Sequence, residues 1–522
     1  MSALNGNPLP QGWAYSSIAD VVIDRVKQAP PAEGSTVKYI DITSIDRATK
    51  RIAEAREIAA SDAPTRARQW VRAGDVLVSM TRPNLNAVAR VPASLEGAVS
   101  STGFDVLRPN GIASAWLFYR VQSEEFLSDL TDKTQGVVYP AVRPRDVRAH
   151  RLPVPPLPEQ DRIVAVIETE LTRIDAAVAA LERVRANLKR YRASVLKAAV
   201  EGRLVPTEAE LASKEGRDFE PASVLLDRIL AERRRRWEES ELARMKAAGK
   251  PPKDDRWKSK YKEPAAPNTS TLPQLPDGWC WSTVEQISTD CLIGIDRGRQ
   301  QEVSADIGHP YLRMNNLTSD GRIDLSKLSY VHASKDESLR FEIGAGDILF
   351  NTRNSVELVG KTAIVRQVPL GTLYNNNLMR IRVSPQVIGA FVSGQMNSES
   401  FKARLNRVKR ATTNVAAVYA KDLLPLPVAL PPFAEQARIS SEISRLHSGG
   451  DATEPVIEAC MLRCARLRQA ILKWAFEGRL VDQDPNDEPA SVLLDRIRAE
   501  RAATTPTAKS RKTNAHEIEA AK

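Results

Sequence analysis

The chain has 522 residues, of which 42% are hydrophobic and 27% charged, with a formal net charge of +10. That length predicts several domains and that composition a globular protein, and no apolar run is long enough for a membrane-crossing helix. The positive balance favours a polyanionic partner, although much of it lies in Arg233–Arg236, in the Lys-rich stretch from Lys246 to Lys262 and around Lys509–Lys512, runs that are often only solvated surface.

In chain order, Leu9-Pro10-Gln11-Gly12-Trp13 opens a mixed α/β domain predicted over 1–154. Val37 to Thr43 reads as a strand, Val76–Ser79 as a second after an Ala73-Gly74-Asp75 turn, and Ala113 to Ser128 as helix, while Phe104–Arg108 falls where the second half has Met379–Val383. Pro155-Pro156-Leu157-Pro158-Glu159-Gln160-Asp161-Arg162-Ile163 then opens a stretch without proline as far as Arg203. Apolar residues recur by threes and fours at Val164, Ile167, Leu171, Ile174, Val178, Leu181, Leu188 and Val195, interrupted by Arg185 and Arg192. This heptad pattern predicts a helix packed along another helix, about 65 Å long at ~1.5 Å per residue. Each seam arginine snorkels to solvent, the more ordinary outcome, meets a carboxylate of the partner helix, or marks a face offered to another subunit. The central spacer is set at 155–205, closing on Glu201-Gly202-Arg203-Leu204-Val205. A helical appendix and a basic, Pro- and Lys-rich linker fill 206–272, with a helix from Ala231 to Ala248 and a coil by composition after it.

The second half repeats the first. Leu275-Pro276-Asp277-Gly278-Trp279 matches the opening, Tyr311 to Leu317 the early strand, Ala345-Gly346-Asp347 with Ile348–Asn351 the turn and strand, and Gln386 to Arg407 is predicted helical. Pro431-Pro432-Phe433-Ala434-Glu435-Gln436 repeats the helix opening and Glu477-Gly478-Arg479-Leu480-Val481 its close, both at an offset of 276 residues. Glu220–Ile229 recurs as Glu488–Ile497. The second domain is set at 273–430, a distal helical spacer at 431–481, and an appendix with a disordered tail at 482–522. With Ser440, His447, Gly450 and Glu454 on its seam, Ser448-Gly449-Gly450-Asp451 and Pro455 are expected to break the second long helix into about Ala434–Leu446 and Glu454–Glu477. The fold class is therefore mixed α+β, a pseudo-two-fold duplication of two domains separated by two long, antiparallel, coiled-coil-like helical regions.

Chemistry for catalysis is sparse. None of the five histidines lies in a His-Glu-x-x-His pattern, no phosphate-binding Gly-x-x-x-x-Gly-Lys-Ser/Thr loop exists, and neither Asp-x-Lys nor Glu-x-Lys occurs. Leu430-Pro431-Pro432-Phe433 resembles an amino-methyltransferase motif, but its leucine cannot accept a hydrogen bond from an exocyclic amine. No catalytic residue and no metal site are expected, and Cys280, Cys291, Cys460 and Cys464 fit a reducing, cytoplasmic setting. Binding chemistry is plentiful. Thr81, Arg82, Asn84, Lys133, Gln135 and Tyr139 lie in predicted loops of the first domain; Asn351, Arg353, Asn354, Asn375, Asn376, Asn377, Lys409, Arg410, Thr412 and Asn414 lie in those of the second. Arg reads guanine edges, Asn and Gln read adenine edges, and Thr and Lys serve phosphates. Asn and Thr also simply populate turns, but as a set on two like frameworks these residues read as a DNA-binding surface.

The Leu-Pro-x-Gly-Trp start, the Ala-Gly-Asp-(Val/Ile)-Leu strand, Pro-Pro-x-x-Glu-Gln-x-Arg-Ile and Glu-Gly-Arg-Leu-Val, each occurring twice, resemble the specificity subunit of type I restriction-modification systems. The resemblance implies two target-recognition domains, each reading half of a split, asymmetric duplex DNA target, and helices that fix the unread spacer. It implies docking of two modification subunits that methylate adenine N6, joined by motor-nuclease subunits for restriction. S-adenosylmethionine, Mg and ATP are expected only in those partners, and no membrane is involved. Candidates for partner-subunit or helix contact are Glu159, Gln160, Ile167, Leu171, Ile174, Val178, Leu181, Arg185, Leu188, Glu435 and Gln436. The alternative is a coiled-coil scaffold with non-catalytic globular heads.

Overall fold

A computed structural model describes residues 9–134, 140–412 and 415–504. The chain forms two units, Met1–Glu182 with Ile457–Lys522 and Arg183–Val456. The division runs through the middle of both long helices, so each unit holds one mixed domain, the first half of the helix that follows it and the second half of the other long helix.

In the first unit, a four-stranded sheet orders Arg56–Ala59, Thr36–Ile40, Val99–Ser101 and Ala67–Trp70, beside a three-stranded sheet of Phe104–Leu107, Val76–Ser79 and Val88–Arg90. In the second, Ser288–Ile293, Leu378–Val383, Ile348–Asn351 and Thr362–Ile364 form four strands, and Ser329–Val331, His309–Leu312 and Leu373–Tyr374 three. A two-stranded ribbon closes each domain, Ala14–Ser17 with Arg151–Val154 and Cys280–Thr283 with Pro427–Leu430.

The repeated Ala-Gly-Asp explains itself as framework. Gly74 and Gly346 take φ of 86° and 92°, where a side chain would be strained. The following aspartate closes the turn, Asp75 accepting from Arg72 N at 2.8 Å and Asp347 from Gly344 N at 3.0 Å. Each buried aspartate also receives a guanidinium fork from the neighbouring strand, Arg108 at 2.8 and 2.7 Å and Arg382 at 2.8 and 3.1 Å.

Several predicted elements are shorter than the pattern suggested, for local reasons. The early strands stop at Ile40 and Leu312, because 3₁₀ turns follow at Ile42–Ser44 and Met314–Asn316. Each predicted domain helix divides in two at a serine. Ser123 caps Phe126 N and Ser398 caps Phe401 N, each at 3.3 Å, starting the helices Glu124–Asp132 and Glu399–Val408. The first appendix helix is longer than predicted, Ala222–Ala247. The stretch after it is not plain coil: a 3₁₀ segment, Asp255–Lys260, returns so that Trp257 and Tyr261 lie on Trp237 with ring centres 6.0 and 5.3 Å away. The predicted disordered tail lies largely outside the described residues.

The first long helix spans Leu157–Val200 and the second Phe433–Phe476, 44 residues each. The expected break in the second does not occur. Pro455 sits inside the helix and forfeits one backbone hydrogen bond. Gly450 is buried, and a Cβ there would stand 2.7 Å from Leu188 Cδ1, so the glycine serves close helix packing. Tertiary packing, not local propensity, decides the helix here. In the first unit Ile163, Ile167, Leu171 and Ile174 share a core with Ile471, Leu472, Ala475 and Phe476; in the second Val195 and Ala199 share one with Ile439 and Ile443.

Both helices end in a Schellman turn. Arg203 N bonds Ala198 O at 2.8 Å around Gly202, and Arg479 N bonds Trp474 O at 2.9 Å around Gly478. Each glycine is pressed against the Leu-Pro-x-Gly-Trp turn of its own unit: a Cβ on Gly202 would lie 2.4 Å from Pro276 Cγ, and one on Gly478 2.3 Å from Pro10 Cγ. The appendices dock on the same turns, Ala222 N bonding Gly278 O and Ala490 N bonding Gly12 O, both at 2.8 Å. Gly202→Ala combines a left-handed φ of 68° with a clash against a stiff proline ring. Thermal or urea melts should show a loss of about 1–3 kcal/mol, whereas Gly216→Ala, with the same conformational cost but open space around it, should lose only about 1 kcal/mol.

Candidate nucleic-acid interface

In the first unit the candidate surface follows the strand Val76–Ser79. Thr81 bridges to Ala141 and Arg82 N bonds Pro140 O at 2.8 Å, which ties residues 140 and 141 to the first candidate loop. Thr81, Arg82 and Asn84 are exposed. Arg82 and Asn86 flank the 3₁₀ turn Pro83–Leu85 with φ of 49° and 45°, and Lys50, whose φ is 56°, donates to Asn86 O at 2.6 Å. These are the three non-glycine residues with positive φ among the described residues. Such backbone costs ~1–3 kcal/mol per residue and collects where function needs a fixed loop. Burial, then the cations Arg468 and Arg47, push the Lys50 ammonium down to about 8. Lys133 is exposed but pairs with Asp129 at 2.6 Å, whose other oxygen meets His150 Nδ1 at 2.6 Å. Gln135 and Tyr139 lie outside the described residues.

The second unit gathers its candidates at the corresponding corner. Arg353–Asn354, Ala416–Ala417 and Arg410–Ala411 form a small three-stranded sheet. Thr352 donates from N and Oγ1 to Asn377 O at 2.8 and 3.0 Å, which ties in the turn of Asn375, Asn376 and Asn377. Arg353, Arg410 and Thr412 are exposed and Asn354, Asn376 and Asn377 half-buried. Arg410 lies over the Tyr419 ring at 5.5 Å and reaches Asp422 at 3.3 Å. Lys409 donates to Val356 O at 3.3 Å, and burial lowers its pKa. Asn414 lies outside the described residues.

Two asparagines cannot meet a base in this conformation. Asn351 is fully buried in its strand, both amide atoms without a partner. Asn375 is buried as a turn residue, accepting from Asn377 N at 2.8 Å and donating to Tyr311 OH at 3.1 Å. An exposed neighbour was missed instead. Ile295 pairs with Asn375, and the 3₁₀ turn Arg299–Gln301 that follows in the chain presents Arg299, Gln300 and Gln301 exposed. A signal existed: Ile295-Asp296-Arg297-Gly298-Arg299-Gln300 echoes Ile23-Asp24-Arg25-Val26-Lys27-Gln28.

The helix-contact candidates divide. Glu159, Gln160, Glu435 and Gln436 are buried and turned to their own domains, which withdraws them from any other subunit. Trp13 Nε1 donates to both oxygens of Glu159 at 3.1 Å, and Trp279 Nε1 to Glu435 at 2.9 Å. Gln160 accepts from Ala113 N at 2.8 Å and Gln436 from Ile388 N at 2.9 Å. The doubled Gly-Trp and Glu-Gln motifs are thus the two sides of one domain-to-helix joint. Ile167, Leu171 and Ile174 are buried, Val178, Leu181 and Leu188 half-buried, and Arg185 exposed. Arg192 is not snorkelled: its side chain is 12% exposed and meets Asp451, Glu454 and Asp320 at 2.6, 3.1 and 3.3 Å.

Two like heads on paired long helices, with exposed basic and amide side chains at matching corners, define a chain built for binding at two places. No family model matches it. It is 24% identical over 418 residues to the EcoKI type I restriction enzyme specificity subunit of Escherichia coli K12, covering 78% of this chain and 76% of that one. It is 28% identical over 405 residues to the EcoBI specificity subunit of Escherichia coli, covering 74% and 72%. A solved chain from work on complex assembly and conformational transition of the type I R-M system aligns with a TM-score of 0.58 at 24% identity, over 91% of this chain and 100% of that one. These likenesses support a place for the chain among the specificity subunits of type I restriction-modification systems.

Proposed function

We propose that the chain is the DNA-recognition subunit of a type I restriction-modification complex, each unit reading one half of a bipartite, asymmetric duplex target. The observation that carries this is the convergence of the candidate side chains at one corresponding corner per unit, after strands Val76–Ser79 and Ile348–Asn351. Arg82 in the first unit and Arg353, Arg410 and Arg299 in the second carry bidentate donors suited to guanine edges, and Asn84 and Gln300 amides suited to adenine. Thr81, Thr412 and Lys409 serve phosphates.

The chain is a specificity subunit and not itself the enzyme. In this proposal two modification subunits use S-adenosylmethionine to methylate adenine N6, and motor-nuclease subunits use ATP and Mg, all outside this chain. No helix among the described residues is long and apolar enough to cross a membrane, and we assign the complex to the cytoplasm. Among those residues no cluster of three His, Cys, Asp or Glu could hold a metal.

The test exchanges residues 275–425 for the matching domain of another family member and maps methylation in the native host by single-molecule sequencing. The second half-site should change while the first half-site and the spacer stay. A change in both half-sites sinks the modular reading.

A further inference from the structure

The charge cluster around Arg192 lies where the second long helix is intrinsically weakest. Gly449-Gly450 and Pro455 bracket Asp451 and Glu454, the two carboxylates that Arg192 grips from the first long helix. Gly450 leaves room for this, since a Cβ there would stand 3.4 Å from both Nε and Nη2 of Arg192.

The same cluster includes the second mixed domain. Arg322 bonds Asp320 at 2.7 Å and reaches Glu454 at 3.0 Å and Asp451 at 3.6 Å, while Asp320 also takes Arg192. Asp320 and Arg322 sit on a tight turn, where Thr318 N and Oγ1 bond Arg322 O at 3.0 and 3.1 Å. That turn is seated on its own domain. Gly321 has a φ of +84°, a Cβ there would stand 2.9 Å from Asn397 Nδ2, and Asn397 in turn donates to Thr362 O and Ser393 O at 2.9 Å. Two arginines and three carboxylates therefore join three segments, two helices and one rigid domain turn.

The first unit has a reduced counterpart. Arg468 pairs with Asp175, and these stand 276 positions after Arg192 and before Asp451. Val178 occupies the position that corresponds to Glu454, so the pair gains no second carboxylate. The full clamp belongs to the second unit, on the helix that needs it.

We infer that Arg192 and Arg322 are positioning residues that fix the second reader on the helix pair and thereby restrict the complex to one spacer length. This rests on the DNA-reading assignment above. Partly buried, multiply bonded guanidinium groups hold direction as well as distance. Without them the domain keeps its weld at Trp279 and Glu435 but can pivot about it.

The test introduces Arg192→Met and Arg322→Met separately into the full complex in its native host and counts methylation at sites with the native half-sites and spacers one base pair shorter, native and one longer. The wild type should methylate one spacer. Each variant should raise the share of methylation at neighbouring spacers by about tenfold, what the loss of one charge-assisted contact removes, with the half-site bases unchanged. Equal loss at every spacer, or retention of a single spacer, overturns the inference. Arg322 is 45% exposed on a surface turn, so its variant decides the matter if Arg192→Met fails to fold. A wild type without bipartite methylation would sink the DNA-reading assignment itself, a result distinct from either.

Discussion

Glu435→Leu is expected to destabilise the second unit by about 2–5 kcal/mol, because it orphans two buried donors at once, each worth ~1–3 kcal/mol. Glu435 is fully buried, its Oε1 accepting from Trp279 Nε1 and its Oε2 from Glu208 N, both at 2.9 Å. Glutamine there can satisfy only one of the two, so Glu435→Gln should cost about 1 kcal/mol. Its counterpart Glu159 has one donor, Trp13 Nε1, which a glutamine oxygen can still serve. Burial raises the pKa of both carboxyls. A folded value above the unfolded one means the folded state holds more protons in the window between them, so stability from these groups falls as pH rises through that window. Glu159→Gln removes the dependence. In urea melts over a pH series its stability relative to wild type should therefore increase as pH rises from below the usual carboxylate range, and a constant or declining difference would show that burial does not penalise the charge.

The same joint shows how far the chain could be read without coordinates. Repeats at fixed offsets exposed the duplication, the long helices and the Ala-Gly-Asp turns, because each depends on residues adjacent in sequence. The meaning of Glu-Gln was not legible that way: Glu435 and Trp279 meet across 156 positions, and nothing near either announces the other. The expected break at Gly449-Gly450 and Pro455 failed for the same reason. Local propensity speaks against helix there, and Arg192 and Leu188, more than 250 positions earlier, outweigh it. At the candidate interface, residue type picked out both Arg353 and Asn351, but only burial separates Arg353, on the surface, from Asn351, two positions before it and sealed within the strand.

The unbroken second helix also changes what a spacer experiment must do. A turn inserted within Ala176 to Leu188 of the first long helix is the simplest way to try to lengthen the unread spacer. With both helices continuous over 44 residues, four residues added to one helix alone would shift every later seam residue against its partners. Leu188, Arg192 and Val195 would move about 6 Å along the axis and turn by roughly 40° beyond a full rotation. That insertion should abolish methylation or unfold the chain. Matched insertions of four residues, one after Leu181 and one beside Ile457, keep Arg192 opposite Asp451 and Arg468 opposite Asp175. Six ångströms is about two base pairs of duplex at ~3.4 Å each, so the matched variant should methylate the same two half-sites with a spacer longer by one or two base pairs. Two base pairs also turn the duplex by about 70°, nearly twice the surplus turn of the helices. The lower end of that range is therefore the better match in angle and the upper end in distance. Methylation mapping that returns the original spacer from the matched variant, with both half-sites intact, would show that the helices do not set the distance.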